Sequence, residues 1–155
     1  MAVFTATEAL EMALEIEENG ELFYNEASAK STDAEVKELF EALAAQERGH
    51  YQVFQKMLED VQPARELPAS EYDQYQDYVQ VALDNALFAG PEKALSLARK
   101  AQDREMALRA AMGFEKDTLL FFYDLRDMVA EADRKTITAV IREEKKHLRR
   151  LAGML

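Results

Sequence analysis

The sequence predicts an all-α protein, a bundle of four long helices with a long, partly helical crossover between the second and the third. Three observations carry that expectation. Among 155 residues there are only five Gly and three Pro, and Ala, Leu, Glu and Lys, which lose little on entering a helix, are abundant. Four stretches place apolar side chains at the three- and four-residue spacing of one helix face. The two halves of the chain also repeat each other, each reading as a helical hairpin. One domain over residues 1–155 is expected, at a length that can bury a real core.

The first helix is expected from about residue 5 or 7 to 29, with Thr7 as N-cap and acidic residues in the first turn, where the helix dipole favours them. Its inward stripe reads Leu10, Leu14, Glu17, Gly20 or Glu21, Tyr24 and Ala27. Ser31-Thr32-Asp33 turns the chain and caps a second helix from 34 to about 61, with the stripe Val36, Phe40, Leu43, Glu47, His50, Phe54, Met57 and Val61. Pro63 and Pro68 close that helix. Residues 62–102 read as the crossover, with a short amphipathic helix (Tyr72, Tyr75, Tyr78, Val79, Leu83) to about 87. Gly90-Pro91 then breaks the chain, and a second short helix follows to about 101. Asp103 is a good N-cap for the third long helix, to about 130, with Leu108, Ala111 or Met112, Glu115, Leu119, Phe122, Leu125 and Val129 inward. Ala132-Asp133 is read as the turn into a fourth helix, 134 to about 151, with Ile137, Ile141, Glu144, His147, Leu148 and Leu151 inward.

Composition excludes several function classes. A net charge of −11 argues against nucleic acid and anionic membranes as partners. With no cysteine, this chain has no disulfide, thiol catalyst, Cys-ligated zinc, iron–sulfur cluster or rubredoxin-type centre. Residues 1–14 lack the basic segment and apolar run of a signal peptide, and no stretch approaches 18 apolar residues. A cytoplasmic location is expected.

The chemistry lies in two short stretches, Glu47-Arg48-Gly49-His50 and Glu144-Lys145-Lys146-His147, which contain the only two histidines. Residues three apart share a helix face, and Glu with His is a ligand pair for a divalent metal. Each pair interrupts an apolar stripe, where charge is costly to bury without compensation. The repeat supplies two more carboxylates. Residues 17–24, Glu-Glu-Asn-Gly-Glu-Leu-Phe-Tyr, parallel 115–122, Glu-Lys-Asp-Thr-Leu-Leu-Phe-Phe, and Glu17 and Glu115 precede Glu47 and Glu144 by 30 and 29 residues. Each hairpin thus carries one Glu on its first arm and Glu-x-x-His on its second. Four carboxylates balance two dications, and oxygen donors with one imidazole per metal suit iron or manganese, not structural zinc. The competing reading, partly buried histidines beside wet glutamates, fits either motif alone better than six residues in repeated register.

Across nearly its whole length the chain resembles the rubrerythrin-type branch of the ferritin-like superfamily. The matching elements are Glu-x-x-Gly-x-x-Phe-Tyr (17–24), Glu-x-x-His (47–50), Gly-Phe-Glu-Lys-Asp-Thr (113–118) and Glu-Glu-x-x-His (143–147). The resemblance implies a ferritin-like four-helix bundle and a centre of two Fe ions held by Glu17, Glu47, His50, Glu115, Glu144 and His147, with Mn or Zn as substitutes in isolated protein. It also implies reduction of hydrogen peroxide. Tyr24 resembles the family's tyrosine near the metals, implying a hydrogen-bonding or radical-quenching role, with core packing as the alternative. Two departures stand out. Rubrerythrins proper append a cysteine-rich rubredoxin domain, so here electrons are expected from a separate rubredoxin-like protein. The extra glutamate that rubrerythrins carry one turn before the third-helix ligand falls at Met112; Glu21 is read as a partly exposed helix residue rather than its replacement. The expected assembly is a homodimer or small homo-oligomer. The alternative function is a ferroxidase that acts on Fe(II) with dioxygen and handles the product; a third is a helical interaction module without the chemistry.

Overall fold

The computed structural model describes residues 6–60, 90–129 and 131–155. These residues form five helices and no strand: α1 Ala6–Lys30, α2 Ala34–Glu59, α3 Pro91–Lys100, α4 Arg104–Met128 and α5 Glu131–Met154. The all-α expectation holds, with four long helices of 24 to 26 residues. Local chemistry fixes several of their ends. The Asp33 side chain accepts a hydrogen bond from the Val36 N–H at 3.0 Å and the Asp103 side chain one from Met106 N–H at 2.8 Å. Each satisfies a donor that the helix leaves open, worth about 1 kcal/mol. Before α3, Gly90 sits at φ 109°, a conformation that favours glycine, and Pro91 opens the first turn.

The long helices pair as two hairpins, α1 with α2 and α4 with α5, and α1 also packs on α3 and α4. That central position widens the buried surface of α1. Leu10, Glu17, Gly20, Tyr24 and Ala27 are buried as the stripe requires, but so are Ala9, Ala13, Ile16 and Phe23 on a second row, while Leu14 is only half-buried. The α2 stripe from Val36 to Met57 is buried as expected, and so are the stripes of α4 and α5, except that Met112 and Leu148 are half-buried.

Aromatic side chains pack to either side of the mid-helix carboxylates. Tyr24 contacts Phe23 edge-on (centroids 5.3 Å) and Phe40 (5.6 Å), while Phe54 meets Phe122 at 5.1 Å. Such residues bury the most apolar area per side chain and keep water from the middle of the bundle.

Some expected boundaries move. Thr7 is not an N-cap, because the helix already includes Ala6; packing of Ala9 and Leu10 outweighs a local cap preference. Ala132-Asp133 is not a turn, since α5 begins at Glu131. Glu131 and Asp133 instead occupy the first turn, where their charge meets the positive end of the helix dipole. α2 stops at Glu59, not near Val61, and α4 at Met128, where Val129 turns extended. The expected helix of residues 70–87, its tyrosines, Pro63 and Pro68 all lie outside the described residues; α3 accounts for the later part of the crossover.

Candidate metal centre

Five of the six candidate ligands are completely or almost completely buried and the sixth, His50, is 4 % exposed. Glu17 comes from α1, Glu47 and His50 from α2, Glu115 from α4, and Glu144 and His147 from α5. They form two overlapping sets, Glu17–Glu47–His50–Glu144 and Glu47–Glu115–Glu144–His147, each with donor atoms within 4.8 Å of one another. Glu47 and Glu144 belong to both. Glu144 shows what sharing means in atoms: Oε1 lies 2.6 Å from His50 Nδ1 and Oε2 3.0 Å from His147 Nδ1. Glu17 Oε2 stands 3.6 Å from His50 Nδ1, and Glu47 Oε1 and Glu115 Oε1 stand 3.3 and 3.5 Å from His147 Nδ1. The imidazoles are nearly parallel, with centroids 5.6 Å apart. The groups that sequence spacing singled out therefore converge in one place.

The electrostatics of such a cluster are severe. Burial raises the Glu17 carboxyl well above its ordinary range, and Glu47 beside it adds to the rise. Burial does the same to Glu115, reinforced by Glu144 and Glu47. Burial disfavours charge on His50, but Glu144 and Glu17 override it and push its pKa up to about 12. His147 moves upward for the same reason, against its own burial, through Glu115, Glu144 and Glu47. Glu144 moves down despite its burial, because both imidazoles approach it. As protein groups alone, the Glu17 and Glu115 carboxyls resist ionisation while the two imidazoles favour their charged form.

Both oxygens of Glu17, Glu47 and Glu144, together with Glu115 Oε2, His50 Nδ1 and His147 Nδ1, have no hydrogen bond of proper geometry among the described residues. A buried polar atom left so costs about 1–3 kcal/mol, and more when charged. Two dications would neutralise four carboxylates and engage these lone pairs, and the donors are oxygen and imidazole. The residues present thus fit a pair of metal ions.

The neighbours differ in how legible they were. Tyr24 donates its hydroxyl to Glu115 Oε1, so its polar end faces the cluster while its ring packs in the core; burial holds the phenol well above its ordinary pKa. Glu21 lies outside both sets: Arg48 Nε donates to its Oε1 at 2.7 Å, and Met112 packs half-buried against the core. Gly20 is needed for space, because a Cβ there would stand 2.9 Å from the Phe114 ring and 3.1 Å from Glu47 Oε2. Lys146, Arg149 and Arg150 are exposed on the outer face of α5, and Lys145 lies over the Tyr123 ring. Sequence reasoning missed Glu143, whose Oε2 lies 2.8 Å from His50 Nε2 on another helix. Its signal was its place directly before Glu144, as the first residue of the Glu-Glu-x-x-His element at 143–147.

A family model described as Rubrerythrin matches residues 8–155. The chain is also similar to a Thermotoga maritima protein whose crystal structure is described as that of a ferritin-like diiron-carboxylate protein. The two share 28% sequence identity at a TM-score of 0.76, over 99% of this chain and 96% of that one. No curated protein matches the chain. Among the described residues, no helix is long and apolar enough to cross a membrane.

Proposed function

The chain belongs to the rubrerythrin family, and from that premise we propose that its buried cluster holds two iron ions and that the protein reduces hydrogen peroxide with electrons from another protein. The observation that carries the reading is the sharing of Glu47 and Glu144 between two four-residue sets. Carboxylates that face two sites at once suit a metal pair rather than a single ion. Glu17 and His50 would complete one half, Glu115 and His147 the other. An iron pair held there would supply the two electrons that, with two protons, reduce one hydrogen peroxide to two waters.

The chain's own part is to bind, orient and exclude. Phe54 and Phe122 on one side and Tyr24 and Phe40 on the other limit water at the cluster, which strengthens every charge interaction inside it. The Tyr24 hydroxyl fixes one oxygen of Glu115 and places a proton donor beside the cluster. Four oxygen ligands with two imidazoles suit iron or manganese. Because this chain has no cysteine, re-reduction falls to an external donor such as a rubredoxin-like protein, and a homodimer or small homo-oligomer is part of the proposal.

The test is metal analysis of the purified protein, stopped-flow oxidation of its ferrous form by peroxide and by oxygen, and mass in solution. Two metals per chain, faster reaction with peroxide and a small oligomer are expected. Preference for oxygen, together with a large shell that accumulates many irons per chain, would overturn the peroxidase reading in favour of an iron-handling ferroxidase. Absence of metal would leave a helical interaction module.

A further inference from the structure

The two halves of the cluster are not equally supported from behind. His50 Nε2 lies 2.8 Å from Glu143 Oε2. A carboxylate only accepts, so Nε2 carries the hydrogen and Nδ1 is the nitrogen turned toward Glu144 and Glu17. His147 has no such support: its Nε2 is buried without a hydrogen-bond partner among the described residues. The repeat shows why. Glu143 precedes Glu144 as Gln46 precedes Glu47, so the corresponding position in the other hairpin holds a neutral amide, whose Oε1 also has no partner.

A second, separate observation points the same way. Tyr24 occupies Glu115 Oε1, whereas both oxygens of Glu17 are without hydrogen bonds. Tyr24 corresponds in the repeat to Phe122, which has no hydroxyl to offer Glu17. One half thus has a backed imidazole and an uncommitted terminal carboxylate, and the other an unbacked imidazole and a carboxylate already shared.

We propose that Glu143 is a positioning residue that makes the two halves unequal, so that the Glu17–His50 half takes the first metal and the Glu115–His147 half the second. The inference rests on the metal-binding reading above. A carboxylate behind a ligating imidazole fixes its tautomer and ring orientation and raises its basicity, and loss of such a partner costs 10–100-fold in metal affinity.

The test is calorimetric titration of the metal-free full chain with Co(II), whose absorption bands also report the donor set at each step. Wild type should bind two Co(II) in separable steps. Glu143→Ala should weaken the first step 10–100-fold and leave the second near its wild-type value. Glu143→Gln keeps an acceptor for the Nε2 hydrogen but not the charge, so it should recover only the part of the loss that comes from ring orientation, which a merely structural effect would not do. Tyr24→Phe frees Glu115 Oε1 and should tighten the second step alone. Circular dichroism of the metal-free variants should match wild type. Two equal steps in wild type, or a first step unmoved by Glu143→Ala, would overturn the inference while leaving the metal centre intact. A wild type that binds no Co(II) removes both.

Discussion

The α1–α2 and α4–α5 hairpins carry the same groups at nearly the same spacing, yet they are not copies in what surrounds those groups. Glu17 and Glu115, Glu47 and Glu144, and His50 and His147 correspond, and all six point into one buried cluster. Around them Gly20 stands where the second hairpin has Thr118, Tyr24 where it has Phe122, and Gln46 where it has Glu143. The repeat is kept where the groups meet and broken one residue, one turn or two turns away. Two hairpins in register are enough to build a centre with two halves; the unmatched neighbours decide how each half behaves.

The largest effect that can break this comparison is removal of a ligand. Glu47→Ala or Glu144→Ala deletes a group common to both sets and should lose both metals, whereas His50→Ala or His147→Ala should each lower occupancy strongly while leaving one complete half. Glu18 is exposed on α1, and Glu18→Ala should leave the content unchanged. Elemental analysis of the dialysed variants decides it; full loading of both histidine variants would falsify the ligand assignment.

Stability and its pH dependence come next, and here the hairpins should act together. Ligands that bind only the folded state stabilise it by about 4 kcal/mol at 1,000 times Kd, which for a chain of this size is roughly 8–16 °C in Tm. For the metal-free form the sign follows from the raised groups. His50, raised from 6.5 to about 12, contributes stability that is fully present below pH 6.5 and is lost as pH climbs toward 12. His147, also raised from 6.5, and Glu17 and Glu115, raised from 4.5, act in the same direction. Glu144 opposes them, its contribution being lost only as pH falls below 4.5. Metal-free Tm should therefore fall as pH rises above about 6.5. The loaded form should gain relative to it, because binding requires deprotonated ligands, so the gap narrows in acid. Scanning calorimetry with and without chelator measures both, and coincident curves at neutral pH would count against a buried centre.

The smallest effects separate the hairpins by packing. Gly20→Ala puts a Cβ 2.9 Å from the Phe114 ring and should cost about 1–3 kcal/mol through overpacking. Gly113→Ala in α4 meets nothing within 4 Å and should gain about 0.5–1 kcal/mol from helix propensity. Denaturant titration resolves opposite signs; the same sign for both would remove the close-approach explanation for Gly20.

The sequence by itself determined what repeats along a single helix. Apolar side chains at three- and four-residue spacing marked the inward faces of α2, α4 and α5, and a carboxylate or Glu-x-x-His in the middle of each stripe marked the residues that would be buried at a cost. Asp33 and Asp103 were legible as caps because a cap bonds to a backbone N–H only three residues on. Tertiary structure alone decided what depends on how one helix is turned and shifted against another. It buried a second row of α1, where α3 and α4 pack against it. It brought Glu143 to His50 and Tyr24 to Glu115 across 93 and 91 residues of sequence, and it made Glu47 and Glu144 common to both halves. A helical period records which face of a helix avoids water, but the partner of a side chain on that face is set by packing between helices, which no single helix encodes.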